Sequence, residues 1–194
     1  MLPDWSDKFS VHHEIIDQQH QKLFELAHRA FHIANSPTSS AKEIKGIITE
    51  FFEYMKTHFK DEEQYMAAIG YPRLEEHKKI HRTIVADMAG MVKHISSMEV
   101  IKEMISTVAE DWLLTHIMQE DMLIEKYRKE QVESGATCEV KEVKYYYYIC
   151  GCPGKEHKLT ESMHLFAERS ANPVTCKECH QQIKFKEERI ISQP

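Results

Sequence analysis

The feature that most constrains this chain is a set of five histidines and two carboxylates spread over four amphipathic segments. Two of the local pairs, His58 with Glu62 and His77 with His81, are four residues apart, so each pair shares one face of a helix. Burying such a polar cluster would be costly unless the cluster coordinated something. The sequence therefore predicts a metal site built from His20, His58, Glu62, His77, His81, His116 and Asp121.

The pair His116 and Asp121 has a different spacing. These residues are five apart, which on a regular α-helix places their side chains off a common stripe. A locally widened, π-type turn would bring both side chains to the same side of the helix. We therefore predict that regular i to i+4 hydrogen bonding is interrupted between residues 115 and 124.

Apolar residues recur at helical spacing in four consecutive segments, and this pattern predicts four helices. A capping box of Ser40 and Glu43 marks the start of the second helix, and a second S-x-x-E, beginning at Ser96, marks the start of the fourth. The predicted spans are about 16–34, 40–70, 73–95 and 96–135. Short connections make the helices antiparallel neighbours, so the predicted fold class is an all-α up-down-up-down four-helix bundle with the ligands toward one end.

Three stretches, IDQQHQKLFEL, HFKDEEQYMAAIGYPRLEEHKKIH and WLLTHIMQED, resemble the bacterial hemerythrins over about residues 1–130. The resemblance implies a hemerythrin-like bundle with two iron ions and reversible binding of dioxygen at an open position on one of them. Ligand type alone leaves zinc and manganese open, because imidazole and carboxylate suit several metals. The resemblance implies one iron held by His77, His81 and His116, a second held by His20 and His58, and Glu62 and Asp121 bridging the two with a solvent-derived oxygen.

Trp112, Leu113 and Ile117 flank the ligand His116 on the fourth helix. The Trp and Leu positions resemble the oxygen pocket of the family, which must be apolar and dry. An ordinary core role for all three residues stays open, because an aromatic and two aliphatic residues on an inward helix face are also typical of a core.

A second module follows residue 144. The run KYYYYIC is typical of a β-strand, and two close cysteine pairs, Cys150 with Cys152 and Cys176 with Cys179, have the spacing of metal-binding knuckles. Four thiolates form a closed tetrahedral site that favours zinc, with iron as the alternative. The fifth cysteine, Cys138, is left over.

The stretch YICGCPGKEHKLTESMH with CKECHQQIKF resembles the zinc ribbon at the C-terminal end of SprT-like metalloproteases, over roughly residues 145–186. Nothing about proteolysis follows, because the chain contains no H-E-x-x-H motif. The predicted domains are a di-iron bundle at 1–130, a linker at 131–144 and a β-rich, four-cysteine zinc-ribbon-like module at 145–194.

Charge and composition indicate which partners and which cellular location to expect. The formal net charge is −6, and residues 131–194 contain equal numbers of cationic and anionic side chains, so neither half favours nucleic acid. No apolar run reaches the roughly 18 residues of a membrane span, and the N-terminus is too polar for a signal peptide. Close-paired cysteines favour metal thiolates in a reducing compartment, so we expect a cytoplasmic protein. The ribbon is expected to dock a protein partner.

Three functional interpretations follow. The first is a binding protein that takes up dioxygen reversibly for sensing, delivery or scavenging. The second is a di-iron peroxide reductase or oxidase that receives electrons from iron in the four-cysteine site. The third is an iron or redox sensor, in which metal loss loosens the bundle. The C-x-C pair departs from the paired C-x-x-C of rubredoxin, and the ligand set is rich in nitrogen, so the sequence favours a binding protein over an enzyme.

Overall fold

The structure is a computed structural model that describes residues 3–93, 97–134, 141–170 and 173–193. The chain forms two compact units, Met1–Gly135 and Ala136–Pro194. Within the described residues, no helix combines the length and the apolar content that crossing a bilayer requires.

The second helix of the N-terminal unit begins and ends at recognisable signals. Ser40 and Glu43 form the predicted capping box: the Ser40 Oγ accepts the Glu43 N–H at 3.2 Å, and the Glu43 carboxylate accepts the Ser40 N–H at 2.8 Å. Beyond the second helix, Gly70 has a φ of 67°, which glycine adopts without strain. The helices are α1 (Glu14–Asn35), α2 (Ala41–Ala68) and α3 (Leu74–Lys93).

The fourth helix is continuous from residue 98 to residue 133, but its hydrogen-bond spacing changes along its length. Its segments are α4 (Met98–Ser106), π1 (Thr107–Leu114), π2 (Ile117–Asp121) and α5 (Met122–Glu133). At the end of π2 the Met122 N–H donates to the Ile117 carbonyl, five residues earlier. The widened turn predicted between His116 and Asp121 is therefore confirmed, whereas π1 was not predicted.

The start of the fourth helix is marked by a serine cap. The N-cap is Ser97: its Oγ accepts the Val100 N–H at 3.3 Å, and its backbone is extended, as in a capping residue. Glu99 lies in the first turn, where its negative charge interacts favourably with the positive end of the helix dipole. Ser96, where the sequence predicts the start of a capping box, lies outside the described residues.

Contacts between helices establish the antiparallel order of the bundle. Gln19, early in α1, bonds to Asp61, late in α2, whereas Arg29, later in α1, pairs with Glu50, earlier in α2. The same reversed order relates α2 to α3 and α3 to the fourth helix, through the contacts Glu62–His77, Phe59–His81, His77–Asp121 and His81–His116. The predicted up-down-up-down bundle is present.

An apolar core fills the bundle between the helices. All four helices contribute to it, since apolar side chains at helical spacing face inward from each. Its buried members include Leu23, Phe24, Ile44, Ile47, Phe51, Met55, Met66, Ile84, Met88, Ile105, Ile117 and Ile124. This core holds the backbone of the four ligand-bearing helices in fixed positions.

The C-terminal unit is a three-stranded antiparallel sheet in the order β2-β1-β3, with one helix between β2 and β3. Its elements are β1 (Lys141–Ile149), β2 (Glu156–Leu159), α6 (Glu161–Arg169) and β3 (Lys184–Gln193). The tyrosine-rich run forms β1 as predicted. Helix α6 was not predicted; Thr160 caps it by accepting the Met163 N–H at 3.2 Å. Its His164 ring stacks on Tyr146 at 4.0 Å and thereby packs the helix against the sheet.

The segment predicted as a linker, 131–144, is partly structured at both ends. Helix α5 extends to Glu133 and strand β1 begins at Lys141. Residues 135–140, which include Cys138, lie outside the described residues.

Candidate metal centres

The structure brings all seven predicted bundle ligands together in the interior. Each of the four helices contributes at least one, and none of the side chains is more than 6 % exposed. Their nitrogen and oxygen atoms fall into two groups of four, within each of which the ligand atoms lie within 4.8 Å of one another. The groups are Glu62, His77, His81 and His116, and His20, His58, Glu62 and Asp121.

The first group is centred on three imidazoles. The Nε2 atoms of His81 and His116 are 3.1 Å apart. The Glu62 Oε2 atom lies 3.2 Å from the Nε2 atoms of both His77 and His81. Several electron-pair donors therefore point at one small volume, as they do around a metal ion.

Two carboxylates connect the first group to the second. Glu62 belongs to both groups. Asp121 directs one oxygen, Oδ2, toward His20 Nε2 at 3.3 Å, and the other, Oδ1, toward His116 Nε2 at 3.1 Å. Glu62 and Asp121 are therefore placed between the two sets of imidazoles, where a bridging ligand would have to lie.

Several of these buried polar atoms have no hydrogen-bond partner among the residues that the structure describes. The His20–Asp121 distance is within reach of an ion pair, but its geometry is not that of a hydrogen bond. Leaving a buried donor or acceptor unpaired costs about 1–3 kcal/mol each. Atoms without such a partner include His20 Nε2, Glu62 Oε1, His116 Nδ1, and Asp121 Oδ1 and Oδ2. A pair of bound cations would satisfy the carboxylate oxygens and the inward nitrogens together.

Electrostatics in the interior also favour cations. Burial lowers the pKa of His20, and it lowers the pKa values of His58 and His116 still further, so these imidazoles stay neutral and keep a lone pair for a metal. Burial, together with the nearby Glu62, raises the pKa of Asp121 well above its ordinary value. Bound dications would remove that penalty by stabilising both ionised carboxylates.

Three outer residues support the ligands and were not predicted. The His58 Nδ1 lies 3.1 Å from Gln19 Oε1, and the Gln19 amide nitrogen donates to Asp61 Oδ2 at 2.6 Å. The His81 Nδ1 lies 2.9 Å from Glu63 Oε1. Although burial opposes it, hydrogen bonding to Glu62 and Glu63 raises the pKa of His81 to about 9. Such partners orient metal-binding imidazoles and raise their basicity.

A small apolar cavity lies beside the two groups. Its volume is about 10 Å³, and its walls include His58 and His116. Trp112, Leu113 and Ile117, predicted as oxygen-pocket or core residues, all line it. A space of this size between apolar walls fits one very small molecule and offers few partners to water.

The C-terminal unit brings its four paired cysteines together. Their sulfur atoms lie within 4.8 Å of one another, and the Sγ atoms of Cys152 and Cys176 are 3.9 Å apart. All four are free thiols. Two pairs supplied by separate turns and meeting at one point are the arrangement of a closed tetrathiolate site.

Backbone N–H groups stabilise two of these sulfur atoms as thiolates. The N–H groups of Gln181 and Gly151 lower the pKa of Cys179 to about 6, and the Cys179 N–H lowers that of Cys176. Burial, followed by hydrogen bonding to the other three cysteines, raises the pKa of Cys152 to about 12. A bound dication would offset this effect and deprotonate all four thiols.

The fold and the buried imidazole–carboxylate cluster define a metal-binding four-helix-bundle protein. The model of the hemerythrin HHE cation binding domain matches residues 11–127, more than half of the chain. The chain belongs to the hemerythrin family.

Individual relatives agree with this assignment. The chain is 34% identical over 122 residues to a bacteriohemerythrin of Clostridium acetobutylicum, covering 60% of this chain and 94% of that protein. It is 30% identical over 123 residues to a bacteriohemerythrin of Campylobacter jejuni, covering 63% of this chain and 92% of that protein. A myohemerythrin of Theromyzon tessulatum is 32% identical over 117 residues, covering 60% of this chain and 86% of its own length. The family match ends at residue 127, so the resemblance of the C-terminal unit to a zinc ribbon stays a prediction.

Proposed function

We propose that the bundle holds two iron ions and binds dioxygen reversibly. The observation that carries the proposal is the convergence of five buried imidazoles and two carboxylates, several of whose atoms have no partner within the described residues. Membership of the hemerythrin family supports iron over the other metals that such ligands accept.

The two groups of ligands suggest which residues would bind each ion. His77, His81 and His116 would hold one ion, and His20 and His58 the other, with Glu62 and Asp121 shared between them. Two ferrous ions bound there would supply the electrons that dioxygen takes up. The ion held by His20 and His58 would have fewer imidazole ligands than the other and would be the one with room for dioxygen.

The surrounding side chains make binding reversible in this proposal. Trp112, Leu113 and Ile117 line the cavity beside His58 and His116. Their apolar surfaces exclude water and offer no acidic group that could deliver a proton to bound dioxygen. Release of dioxygen with its two atoms still bonded would then depend on the packing of these apolar side chains.

The test is an absorption spectrum of the reduced, iron-loaded protein before oxygen, after oxygen, and after oxygen is removed by sparging. A visible band that appears with oxygen and disappears on sparging is the expected result. Direct conversion to a stable oxidised form, with peroxide consumed whenever an electron donor is supplied, would replace the proposal with a redox enzyme. His32→Ala, at an exposed position of α1, is a matched control that should leave the cycle unchanged.

We further propose that Cys150, Cys152, Cys176 and Cys179 hold one zinc ion that stabilises the C-terminal unit. The clustering of four free thiols and the N–H groups aimed at Cys176 and Cys179 support this. Metal analysis of the purified protein should give one zinc per chain in addition to iron. A red colour that survives removal of the bundle iron would instead indicate iron in the tetrathiolate site. A protein partner for this unit and a cytoplasmic location stay predictions.

A further inference from the structure

Three buried polar side chains form a row of hydrogen bonds: Asp61 on α2, Gln19 on α1, and the ligand His58 on α2. Asp61 Oδ2 accepts the Gln19 amide N–H at 2.6 Å, and the Gln19 carbonyl oxygen lies 3.1 Å from His58 Nδ1. The exposed fractions of Asp61, Gln19 and His58 are 5 %, 0 % and 1 %. Water therefore does not compete for these hydrogen bonds.

The chemistry of the row fixes which nitrogen of His58 carries a proton. A carboxylate only accepts hydrogen bonds, so the NH₂ end of the Gln19 amide must face Asp61. The carbonyl end then faces His58, and because a carbonyl also only accepts, the hydrogen of the neutral imidazole must be on Nδ1. The lone pair is left on Nε2, which becomes the nitrogen free for a metal.

The two groups of ligands are supported differently. In the first group, the His81 Nδ1 contacts the carboxylate of Glu63 directly, and Glu63 is 28 % exposed. In the second, the carboxylate of Asp61 is connected to His58 through the Gln19 amide, inside the core. Both ends of the Gln19 amide must be engaged for the second group to keep its orientation, since a rotated amide would present an N–H to His58.

We propose that Gln19 and Asp61 are positioning residues for the His20–His58 metal ion: together they lock His58 in the Nδ1–H form and hold the ion that keeps the open position. This inference rests on the proposed di-iron function. Neither residue binds the metal, and both act through His58. Outer partners of this kind typically change metal affinity by about 10–100-fold.

The experiment measures iron release to a ferrous chelator under argon, which requires no oxygen chemistry. Gln19→Leu removes both hydrogen bonds, Asp61→Asn leaves an amide pair with no preferred orientation, and Gln19→Glu sets two carboxylates against each other. The double variant Gln19→Glu/Asp61→Asn exchanges the roles, because the amide now at position 61 donates to the carboxylate now at position 19, which still accepts from His58. Gln18→Leu, at an exposed neighbouring position, is the control.

We expect each single variant to release one of its two iron ions about 10-fold faster or more, while the other stays at the wild-type rate. The double variant should return most of the way to wild type, which a loss of packing alone would not allow. If Gln19→Leu fails to fold, the comparison of the double variant with its two single variants still tests the positioning role. Wild-type release rates for every variant, or a double variant as impaired as the sum of the singles, would overturn the proposal. A wild-type protein that retains no iron would instead refute the di-iron function.

Discussion

His58 and His77 belong to different groups of ligand atoms, which makes their substitutions informative at the scale of the single residue. Each of His58→Ala and His77→Ala removes one nitrogen ligand and so weakens the binding of the ion held by that group. We expect the iron content of each variant to fall from two per chain to one or fewer, as measured by metal analysis after anaerobic loading. His32→Ala should load fully, and full loading of both test variants would contradict the ligand assignment.

The ligands themselves could be predicted from the sequence because their spacing is local. Four-residue intervals place two side chains on one helix face whatever the rest of the chain does. Gln19, Asp61 and Glu63 could not be recognised in the same way. Gln19 and Asp61 are 42 residues apart, and only the antiparallel packing of α1 on α2 makes them partners. Asp and Glu in a helix are, moreover, usually solvent-facing residues.

At the scale of the element, the start of the fourth helix gives a test of the capping assignment. Ser97→Ala should lower the free energy of unfolding by about 1 kcal/mol, because the Val100 N–H loses its acceptor at the helix terminus. Urea denaturation followed by the helical signal measures this. Ser96→Ala is the matched comparison, because the sequence predicts the capping box there, and we expect it to cost less than Ser97→Ala. A larger loss for Ser96→Ala would favour the capping box that the sequence predicts.

The π2 segment makes a sharper prediction. Deleting the exposed Gln119 would convert the five-residue spacing of His116 and Asp121 into a four-residue one, which suits a regular helix. Because π2 is a helix turn widened by one residue, the deletion would remove the widening and keep the buried Ile124 on the inward face. We expect a variant that still loads iron and whose unfolding free energy lies within about 1 kcal/mol of that of the wild type.

The control is deletion of the exposed Lys60 from the regular helix α2. No widened turn absorbs that deletion, so Glu62 would rotate by about 100° relative to His58, and we expect a loss of about 2 kcal/mol or more in unfolding free energy and reduced iron loading. Equal losses in both deletion variants would mean that π2 does not accommodate one extra residue in the fourth helix.

The predictable and unpredictable parts of the helices differ for a physical reason. π2 could be predicted because two ligands with an unsuitable spacing lie on either side of it. π1 has no such pair, and its widened turns arise from packing that a local pattern does not record. Helix α6 has an ordinary signal, the Thr160 cap followed by apolar Met163 and Phe166. The cysteine pairs on either side of this signal favour a β-rich ribbon, and a short helix inside such a module has no distinct pattern of its own.

At the scale of the whole molecule, two compact units carry two different donor sets. The bundle offers nitrogen and oxygen, which suit iron, whereas the C-terminal unit offers four thiolates, which suit zinc. The C-terminal unit is small and has little core, so a bound metal would contribute much of its folding free energy. Loss of that metal should therefore unfold the C-terminal unit without emptying the bundle.

The substitution Cys176→Ser tests this, because Cys176 is the fully buried member of the four cysteines. We expect the variant to lose its zinc, and proteolysis to remove the C-terminal segment much faster, while the iron content and the oxygen-dependent absorption band stay at wild-type levels. His58→Ala is the reciprocal control: it should lower the iron content and leave the zinc in place. If Cys176→Ser also lost the bundle iron, the two metal centres would be coupled. That result would favour the sensor interpretation, in which the state of one unit is transmitted to the other, over a simple oxygen-binding protein.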